Sequence, residues 1–297
     1  MNAVPLEVEG VQRAFGDTRV LVDVTFSVAA GTLYGLIGRN GAGKTTTIES
    51  IVGLARPDAG RIAIFGNVPR ANRRAVGHAP QEIAVYPDLT ARENIAFFAD
   101  LYGNRNPGAR AEAVLEHVGL AAQRDQIASL LSGGQRRLLN LALALAHEPP
   151  LLILDEPTVG LDIEAREGVW RVMREARARG TTILLTTHYL EEADRLCDRI
   201  GILDSGRITI EGAPRELIAS LGYQTLVTIE SPECSRVLEM LADISIMSRT
   251  DDRSVTIGIA GTITIERLVE RLGPTPVNAI ATRAAALEDV YLGASLR

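Results

Sequence analysis

The stretch GRNGAGKT, residues 38–45, determines the fold of this chain. The apolar run TLYGLIG (32–38) before it predicts a buried strand, and TTTIESIVGL (45–54) after it has helical spacing with Gly53 near its end. A strand, a glycine-rich turn and a helix in this order match the pattern G-x-x-x-x-G-K-[ST], whose backbone N–H groups surround a phosphate. A fortuitous glycine-rich turn is the alternative, but nothing would then require the flanking strand and helix. The stretch therefore predicts a phosphate-binding loop in an α/β fold.

The residue types of this loop suit a nucleotide. Glycines let backbone N–H groups converge on a β-phosphate, Lys44 would reach the β and γ oxygens, and the Thr45 hydroxyl would join a Mg²⁺ shell. The predicted contact segment comprises Gly38, Arg39, Asn40, Gly41, Ala42, Gly43, Lys44, Thr45 and Thr46. Of the 31 Lys and Arg residues, Lys44 is the only lysine. Either it is a chance survivor, or the site needs a compact ammonium where a planar guanidinium does not fit.

A second motif, LLILDEP (151–157), supplies acidic residues. Its apolar residues predict a buried strand that ends at Asp155, which would ligate Mg²⁺, usually through water. The adjacent Glu156 would position or deprotonate an attacking water. The alternative is a solvated strand-to-loop turn, which is common for this dipeptide alone.

Three further residues carry weaker signals. His188 ends an apolar strand and is either structural or a contact to the γ-phosphate. Gln81 is either a simple loop amide or a residue that reaches Mg²⁺ or the attacking water. Phe15 is either an ordinary apolar residue near a turn or a ring that stacks on adenine. The remaining histidines are predicted to be structural: His78, His117 and His147.

Composition excludes several classes of protein. The chain has 297 residues, 46% of them hydrophobic, which allows an ample core. A net charge of -6 argues against a nucleic-acid binder, which usually has a basic face. We expect no signal peptide and no membrane span, because no apolar run is long enough. Cys197 and Cys234 match neither a disulfide framework nor a metal spacing, so a reducing cytoplasm is the default expectation.

Periodicity predicts the order of the elements. Strands are expected at 20–28, 151–155 and 181–188, and an amphipathic helix at 164–180 closed by Gly180. Residues 88–146 are expected to be mostly helical. From 223 onward, alternating and helical segments predict a small α+β appendage with a turn at Asp251 and Asp252.

Six motifs occur in the order and spacing of an ATP-binding-cassette (ABC) nucleotide-binding domain: GRNGAGKT, Gln81, LSGGQ (131–135), LLILDE, GLD (160–162) and His188. Residues 4–222 resemble this family, and residues 223–297 form the appendage. The resemblance implies an α/β P-loop NTPase cassette with a mixed sheet core, an antiparallel β subdomain and a helical subdomain at about 88–146. It also implies ATP and Mg²⁺ as ligands. Two cassettes would dimerise head to tail, so that Ser132, Gly133 and Gly134 of one subunit contact the ATP held by Lys44 of the other.

The end of the chain resembles a narrower group. LEDVYL (287–292) and the appendage are similar to ATPase subunits of bacterial drug and antibiotic exporters of the daunorubicin-resistance type. That resemblance implies a separate membrane permease and a peripheral position at the cytoplasmic face of the membrane. One alternative is a soluble, non-transport ABC ATPase, although a single cassette without heptads or a basic tail argues against it. Another is a nucleotide-binding regulatory module without turnover, against which Glu156 and His188 argue.

Overall fold

A computed structural model describes residues 4–261 and 263–295 of the chain. The described chain forms two compact units that divide between Ala213 and Pro214. The strands of the first unit are β1 (Leu6–Phe15), β2 (Thr18–Val28), β3 (Leu33–Ile37), β4 (Ala59–Ile64), β5 (Val76–Ala79), β6 (Leu151–Asp155), β7 (Thr182–Thr187), β8 (Arg199–Asp204) and β9 (Arg207–Gly212). Its helices are α1 (Lys44–Val52), α2 (Ala91–Leu101), α3 (Pro107–Val118), α4 (Gly133–Leu145), α5 (Ile163–Ala178) and α6 (Leu190–Leu196). The strands and helices predicted for this part of the chain are confirmed.

One mixed sheet organises the first unit. Its strand order is β4-β1-β2-β9-β8-β3-β7-β6-β5 within the described residues. The neighbours β3, β7, β6 and β5 run parallel, and β3, β6 and β7 are buried along their full length. This explains their continuous apolar sequences, since such strands are covered on both faces. On the other side β1 pairs antiparallel with β2 and β4, as the resemblance implied.

Helices α2, α3 and α4 form the predicted helical segment. Thr90 begins α2 with a capping box, in which its hydroxyl accepts from the Glu93 amide and the Glu93 carboxylate accepts from the Thr90 amide. The three helices pack against one another, and α4 also contacts β5 and α5. The helical subdomain is thereby joined to the sheet through α4.

The second unit is built from α7 (Pro214–Ala219), β10 (Thr225–Glu230), α8 (Cys234–Leu241), β11 (Met247–Thr250), β12 (Ser254–Ile259), α9 (Ile265–Leu272), β13 (Ala279–Ala284) and α10 (Leu287–Ser295). From β10 to β13 the order is βαββαβ, with an antiparallel sheet ordered β11-β12-β10-β13, the ferredoxin-like arrangement. Its core holds Val227 and Ile257 from the sheet together with Leu241 and Leu268 from α8 and α9.

The structural division lies earlier in the chain than the predicted boundary between 222 and 223. Helix α7 packs against α10, so the segment that begins at Pro214 belongs to the second unit. The predicted second domain also includes residues 262, 296 and 297, which lie outside the described part of the chain. No helix within residues 4–261 and 263–295 is long and apolar enough to cross a bilayer.

Candidate nucleotide site at the carboxyl edge of the sheet

Four parallel strands bring the predicted loop, Asp155, Glu156, His188 and Gln81 to one edge of the sheet. The strand β3 leads into the loop 38–43, β7 into His188, β6 ends at Asp155, and β5 leads to Gln81. Registers such as Ile37 with Thr187 and Asp155 with Thr186 place the carboxyl ends of these strands side by side. This edge is where open α/β sheets bind ligands.

At Gly43 the glycine-rich loop adopts a backbone conformation that suits only glycine. That residue has a φ of 106°, and a Cβ there would lie 2.6 Å from Leu21 Cδ2 and 3.2 Å from the Val20 carbonyl oxygen. Helix α1 starts directly after it, at Lys44, so the first amides of the helix point toward the loop. The loop residues Arg39, Asn40 and Gly41 and the first-turn residue Thr45 are exposed, whereas Gly38 and Ala42 are buried and Thr46 is half-buried. The loop is therefore exposed directly before the start of α1, a position at which backbone amides can bind a phosphate.

Lys44 lies at the centre of the site and is only 5% exposed. Its ammonium donates to the carbonyl oxygens of Gly38 at 2.8 Å and Arg39 at 3.2 Å. Its Nζ also lies 2.9 Å from Oε1 of Glu156, which is 6% exposed. The two motifs that the sequence placed far apart thus meet in a buried ion pair.

A threonine that the sequence analysis missed fixes both acidic residues. The Thr186 hydroxyl donates to Asp155 Oδ1 at 2.5 Å and accepts from the Glu156 amide at 3.0 Å. Glu156 has a φ of 46°, in the left-handed region that costs free energy for a non-glycine residue. The strand register makes Thr186 the partner of Asp155 and orients the two carboxylates.

His188 lies beside the Glu156 carboxylate. Its Nδ1 is 3.2 Å from Glu156 Oε2, and its ring is in contact with that of Tyr189, with centroids 4.3 Å apart. The structure therefore places His188 next to the acidic motif, and its contact with a γ-phosphate stays a prediction. The other three histidines lie elsewhere: His117 is 2.9 Å from Glu175 Oε2, His147 stacks on Tyr102, and the ring of His78 is partly buried on β5.

The segment that carries Gln81 is held by residues that motif matching did not find. Gln81 is exposed, and its carbonyl oxygen accepts from Arg137 Nη1 at 2.6 Å. Asn140 of α4 donates to the Pro80 carbonyl at 3.1 Å and accepts from the Ala84 amide at 3.0 Å. Among the described residues, the Gln81 side chain itself makes no hydrogen bond to the rest of the site. The structure thus brings Gln81 to the same edge of the sheet and attaches its backbone to α4, and its role toward Mg²⁺ or water stays a prediction.

The LSGGQ motif forms the start of α4. Ser132 is its N-cap: the hydroxyl accepts from the Gln135 amide at 3.2 Å, and the Ser132 amide donates to Gln135 Oε1 at 2.9 Å. Ser132 and Gly133 are exposed, and the first turn carries no acidic residue. A Cβ on Gly134 would lie 2.8 Å from Ala165 Cβ, so this glycine permits close packing of α4 on α5. The exposed helix start, with no acidic residue in its first turn, is a position at which an anion can bind.

Two more residues near the site differ in exposure: Phe15 is half exposed and Glu192 is buried. Phe15 is 50% exposed at the end of β1, and the Arg13 guanidinium carbon lies 4.9 Å from its ring centroid. Glu192, which the sequence analysis missed, is fully buried and accepts from Trp170 Nε1 at 2.8 Å and from the Thr158 hydroxyl at 3.0 Å. Burial raises the pKa of Glu192, against the lowering effect of these hydrogen bonds. It holds the segment that follows Glu156.

Comparison with known proteins agrees with this geometry. Residues 21–159 match the family model described as ABC transporter. The chain is 41% identical to Nod factor export ATP-binding protein I of Burkholderia orbicola, over 98% of this chain and 97% of that protein. It is 40% identical to the linearmycin resistance ATP-binding protein LnrL of Bacillus subtilis, over 75% of this chain and 74% of that protein.

Solved structures give the same result. A structure titled as the ATP-binding subunit of an ABC transporter superposes with a TM-score of 0.67 at 35% identity, covering 73% of this chain and 93% of that one. CbiO1 of Clostridium perfringens, described as part of the ABC transporter complex CbiONQ, also gives 0.67 at 26% identity, covering 73% and 91%. With a phosphate-binding loop, two acidic residues and a histidine at one sheet edge, and relatives that match nearly the full chain, this protein belongs to the ABC transporter ATP-binding family.

Proposed function

We propose that the protein is the ATP-hydrolysing subunit of an exporter and works with a separate membrane permease. The observation that carries the hydrolytic role is the convergence of Lys44, Glu156 and His188 within 2.9 and 3.2 Å at the carboxyl edge of the sheet. Export is supported by the names of the similar proteins, one of which exports Nod factor and another of which confers linearmycin resistance.

The residues of the site have separate roles in hydrolysis. Backbone amides from Gly38 to Lys44 and the Lys44 ammonium bind the β and γ phosphates, because they supply converging donors and a point charge. Glu156 accepts a proton from the attacking water, and His188, beside it, contacts the γ-phosphate. Gln81 reaches the same water or the metal when its segment moves toward the site.

The site also fits a magnesium ion that arrives with ATP. No group of three His, Cys, Asp or Glu side chains within the described ranges could hold a metal by itself. Mg²⁺ in nucleotide sites needs only one or two protein oxygens besides phosphates and water, and the exposed Thr45 hydroxyl and Asp155 offer them. When bound, the ion would neutralise charge on the β and γ phosphates.

A second copy of the cassette completes the site. The start of α4 exposes Ser132 and Gly133, and its capping box uses the amides of Ser132 and Gln135. The amides of Gly133 and Gly134 are not part of the capping box and can donate to a ligand from another subunit. We infer that this surface contacts the γ-phosphate held by the partner's loop. Hydrolysis should then require dimerisation, so the specific ATPase activity should rise with protein concentration.

Size-exclusion chromatography with light scattering tests the dimer. Glu156→Gln keeps the shape of the side chain but removes the carboxylate that accepts the proton, so with ATP and Mg²⁺ it should accumulate as a dimer with two bound nucleotides. Mixing Ser132→Arg with Lys44→Ala subunits should restore part of the ATPase activity, because the heterodimer contains one intact loop and one intact helix start. A Ser132→Arg protein that hydrolyses ATP at the wild-type rate as a monomer would exclude the role of LSGGQ.

The permease is expected to bind next to the Gln81 segment, on a surface made of Tyr86, Phe97 and Leu101, which we call the α2 apolar surface. These side chains are 47%, 46% and 63% exposed, and the Tyr86 and Phe97 rings pack edge to face with centroids 5.2 Å apart. Asn94 fixes Tyr86 by accepting from its amide at 2.8 Å and donating to its carbonyl oxygen at 3.0 Å. An ordered aromatic surface next to the Gln81 segment suits a partner whose conformation must change when ATP binds.

Co-purification from membranes tests this surface. Tyr86→Glu and the neighbouring Val85→Glu should release the permease while ATP affinity measured by calorimetry is retained. Ile265→Glu, at a 50% exposed apolar residue of the second unit, is the matched control and should leave the complex intact. If Tyr86→Glu instead abolishes ATP binding, the segment is structural and the docking surface lies elsewhere.

A further inference from the structure

One face of the Phe15 ring, at the end of β1, is covered by an arginine. Phe15 is half exposed, and one face of its ring carries the Arg13 guanidinium at 4.9 Å from the centroid. Residues two apart on a strand point to the same side, which brings Arg13 over Phe15 along β1. The ring therefore has a covered face and surface left for another aromatic group.

Arg13 is anchored by an aspartate rather than left mobile. Its Nη1 donates to Asp58 Oδ1 at 2.8 Å, and the Ala14 amide donates to Asp58 Oδ2 at 2.7 Å. The Asp58 amide in turn donates to the Gln12 carbonyl oxygen at 2.8 Å. The hydrogen bond from the Ala14 amide lowers the pKa of Asp58 most, and the Arg13 guanidinium lowers it further. The Asp58 carboxylate is therefore ionised at neutral pH.

The hairpin that carries Phe15 lies beside the phosphate loop. Phe15 is paired with Thr18, and Val20, two residues further along β2, has its carbonyl oxygen 3.2 Å from the Cβ position of Gly43. Two residues of extended strand span about 7 Å. This separation suits a nucleotide, whose base and β-phosphate are linked through the ribose and the α-phosphate.

We propose that Arg13, held by Asp58, positions the Phe15 ring so that its uncovered face receives the adenine of bound ATP. The proposal rests on the ATP-binding function proposed above and adds two positioning residues to it. Arg13 acts in two ways: it restricts the rotamers of an otherwise exposed ring, and its charge behind the ring favours stacking of an electron-rich base on the opposite face. Neither Arg13 nor Asp58 needs to contact the nucleotide.

Binding of ATP compared with binding of inorganic tripolyphosphate, which has no base, tests the proposal by calorimetry on the full chain with Mg²⁺. Phe15→Ala should weaken ATP binding about tenfold and leave tripolyphosphate binding unchanged, since stacking acts only on the base. Arg13→Gln and Asp58→Asn should each weaken ATP binding about two- to fivefold, again without affecting tripolyphosphate. In the Phe15→Ala background, Arg13→Gln should have no further effect. In turnover assays Arg13→Gln and Asp58→Asn should each raise the KM for ATP and leave kcat unchanged, because the base interaction is the same in the ground and transition states.

Arg19→Gln is the matched control. Arg19 is an exposed arginine on β2, paired with Ala14, and its loss makes the same change in charge. If Arg13→Gln and Arg19→Gln weaken ATP and tripolyphosphate equally, Arg13 attracts phosphate charge in general and the proposal is wrong. If Phe15→Ala weakens ATP binding but Arg13→Gln does not, only the positioning role fails. If Phe15→Ala itself leaves ATP affinity unchanged, Phe15 does not stack on adenine and the proposal is wrong, whereas the proposed ATP-binding function is unaffected.

Discussion

The buried pair of Lys44 and Glu156 should be energetically coupled in the protein without nucleotide. Both side chains are nearly inaccessible, at 5% and 6% exposure, and their charged atoms are 2.9 Å apart. Lys44→Ala leaves the Glu156 carboxylate buried with His188 as its neighbour at 3.2 Å, so we expect a loss of about 3 kcal/mol in the free energy of unfolding. Glu156→Gln leaves Lys44 donating to the Gly38 and Arg39 carbonyl oxygens, so its cost should be smaller, about 1–2 kcal/mol.

The double variant Lys44→Ala/Glu156→Gln carries no unpaired charge and should be less destabilised than the sum of the single variants. We expect a coupling energy of about 2 kcal/mol. Urea unfolding followed by tryptophan fluorescence measures it, because the single tryptophan, Trp170, is buried in the first unit, which contains both residues. The dependence of the free energy on urea should be the same in all four proteins, which shows that the exposed area has not changed.

The exposed pair of Arg207 and Asp23 provides the matched cycle. These side chains are 55% and 50% exposed with charged atoms 3.4 Å apart, so their coupling should be below about 1 kcal/mol. If the Lys44 and Glu156 variants add within about 0.5 kcal/mol, or couple no more than the exposed pair, the reasoning from burial is refuted.

Three further changes follow from the same geometry. Gly43→Ala should destabilise the first unit by at least about 1 kcal/mol in urea and weaken ATP binding, because the φ of 106° and the contact with Leu21 both oppose a Cβ; an unchanged protein would mean that the loop relaxes freely. Burial raises the pKa of Glu192 above its ordinary value of 4.5, so the folded state favours the protonated side chain. The stability that Glu192 contributes is therefore complete below pH 4.5 and is lost as pH rises through the raised pKa. Glu192→Gln should flatten this fall in the free energy of unfolding, measured in urea titrations at several pH values. Glu192→Leu should instead cost about 1–3 kcal/mol at every pH by removing the acceptor of Trp170; equal stability of the Gln and Leu variants would contradict this. Asn140→Leu should accelerate hydrogen exchange of the Ala84 amide while leaving α1 protected, and unchanged exchange at Ala84 would show that the segment is held by other contacts.

The sequence was sufficient for features that depend on local patterns. The segment LLILD is a strand over Leu151–Asp155, as its continuous apolar residues indicated, because a strand covered on both faces has no polar alternation. Gly53 and Gly180 end helices with positive φ, where a side chain would be strained. By contrast, β11 and β13 were not predicted. The sequences MSRT and AIATRA are mostly exposed edge strands, so neither shows the hydrophobic alternation that identifies a half-buried strand.

The sequence motifs identified the acidic and basic residues of the candidate site but not the residues that orient them. Thr186 and Asn140 act through contacts 31 and 56 positions away along the chain, to Asp155 and Ala84. Such contacts exist only once the neighbours of β6 and the packing of α4 are known, and threonine or asparagine has no special sequence signal at those positions. Burial of a polar side chain is the physical signal, since such a group must find a partner, but burial itself depends on the tertiary fold.

Glu156 combines a buried charge with a left-handed backbone conformation. Its motif alone is compatible with a solvated turn, in which an exposed carboxylate would incur no cost. The structure instead places it almost fully buried, at a φ of 46°, with its amide fixed by Thr186. Both the burial of a charge and the left-handed backbone destabilise the fold, and strain of this kind persists where the surroundings hold it in place, most often at functional sites. A solvated turn would relax to a common backbone conformation and expose the carboxylate. The costs concentrated at this residue therefore support the catalytic assignment independently of the motif.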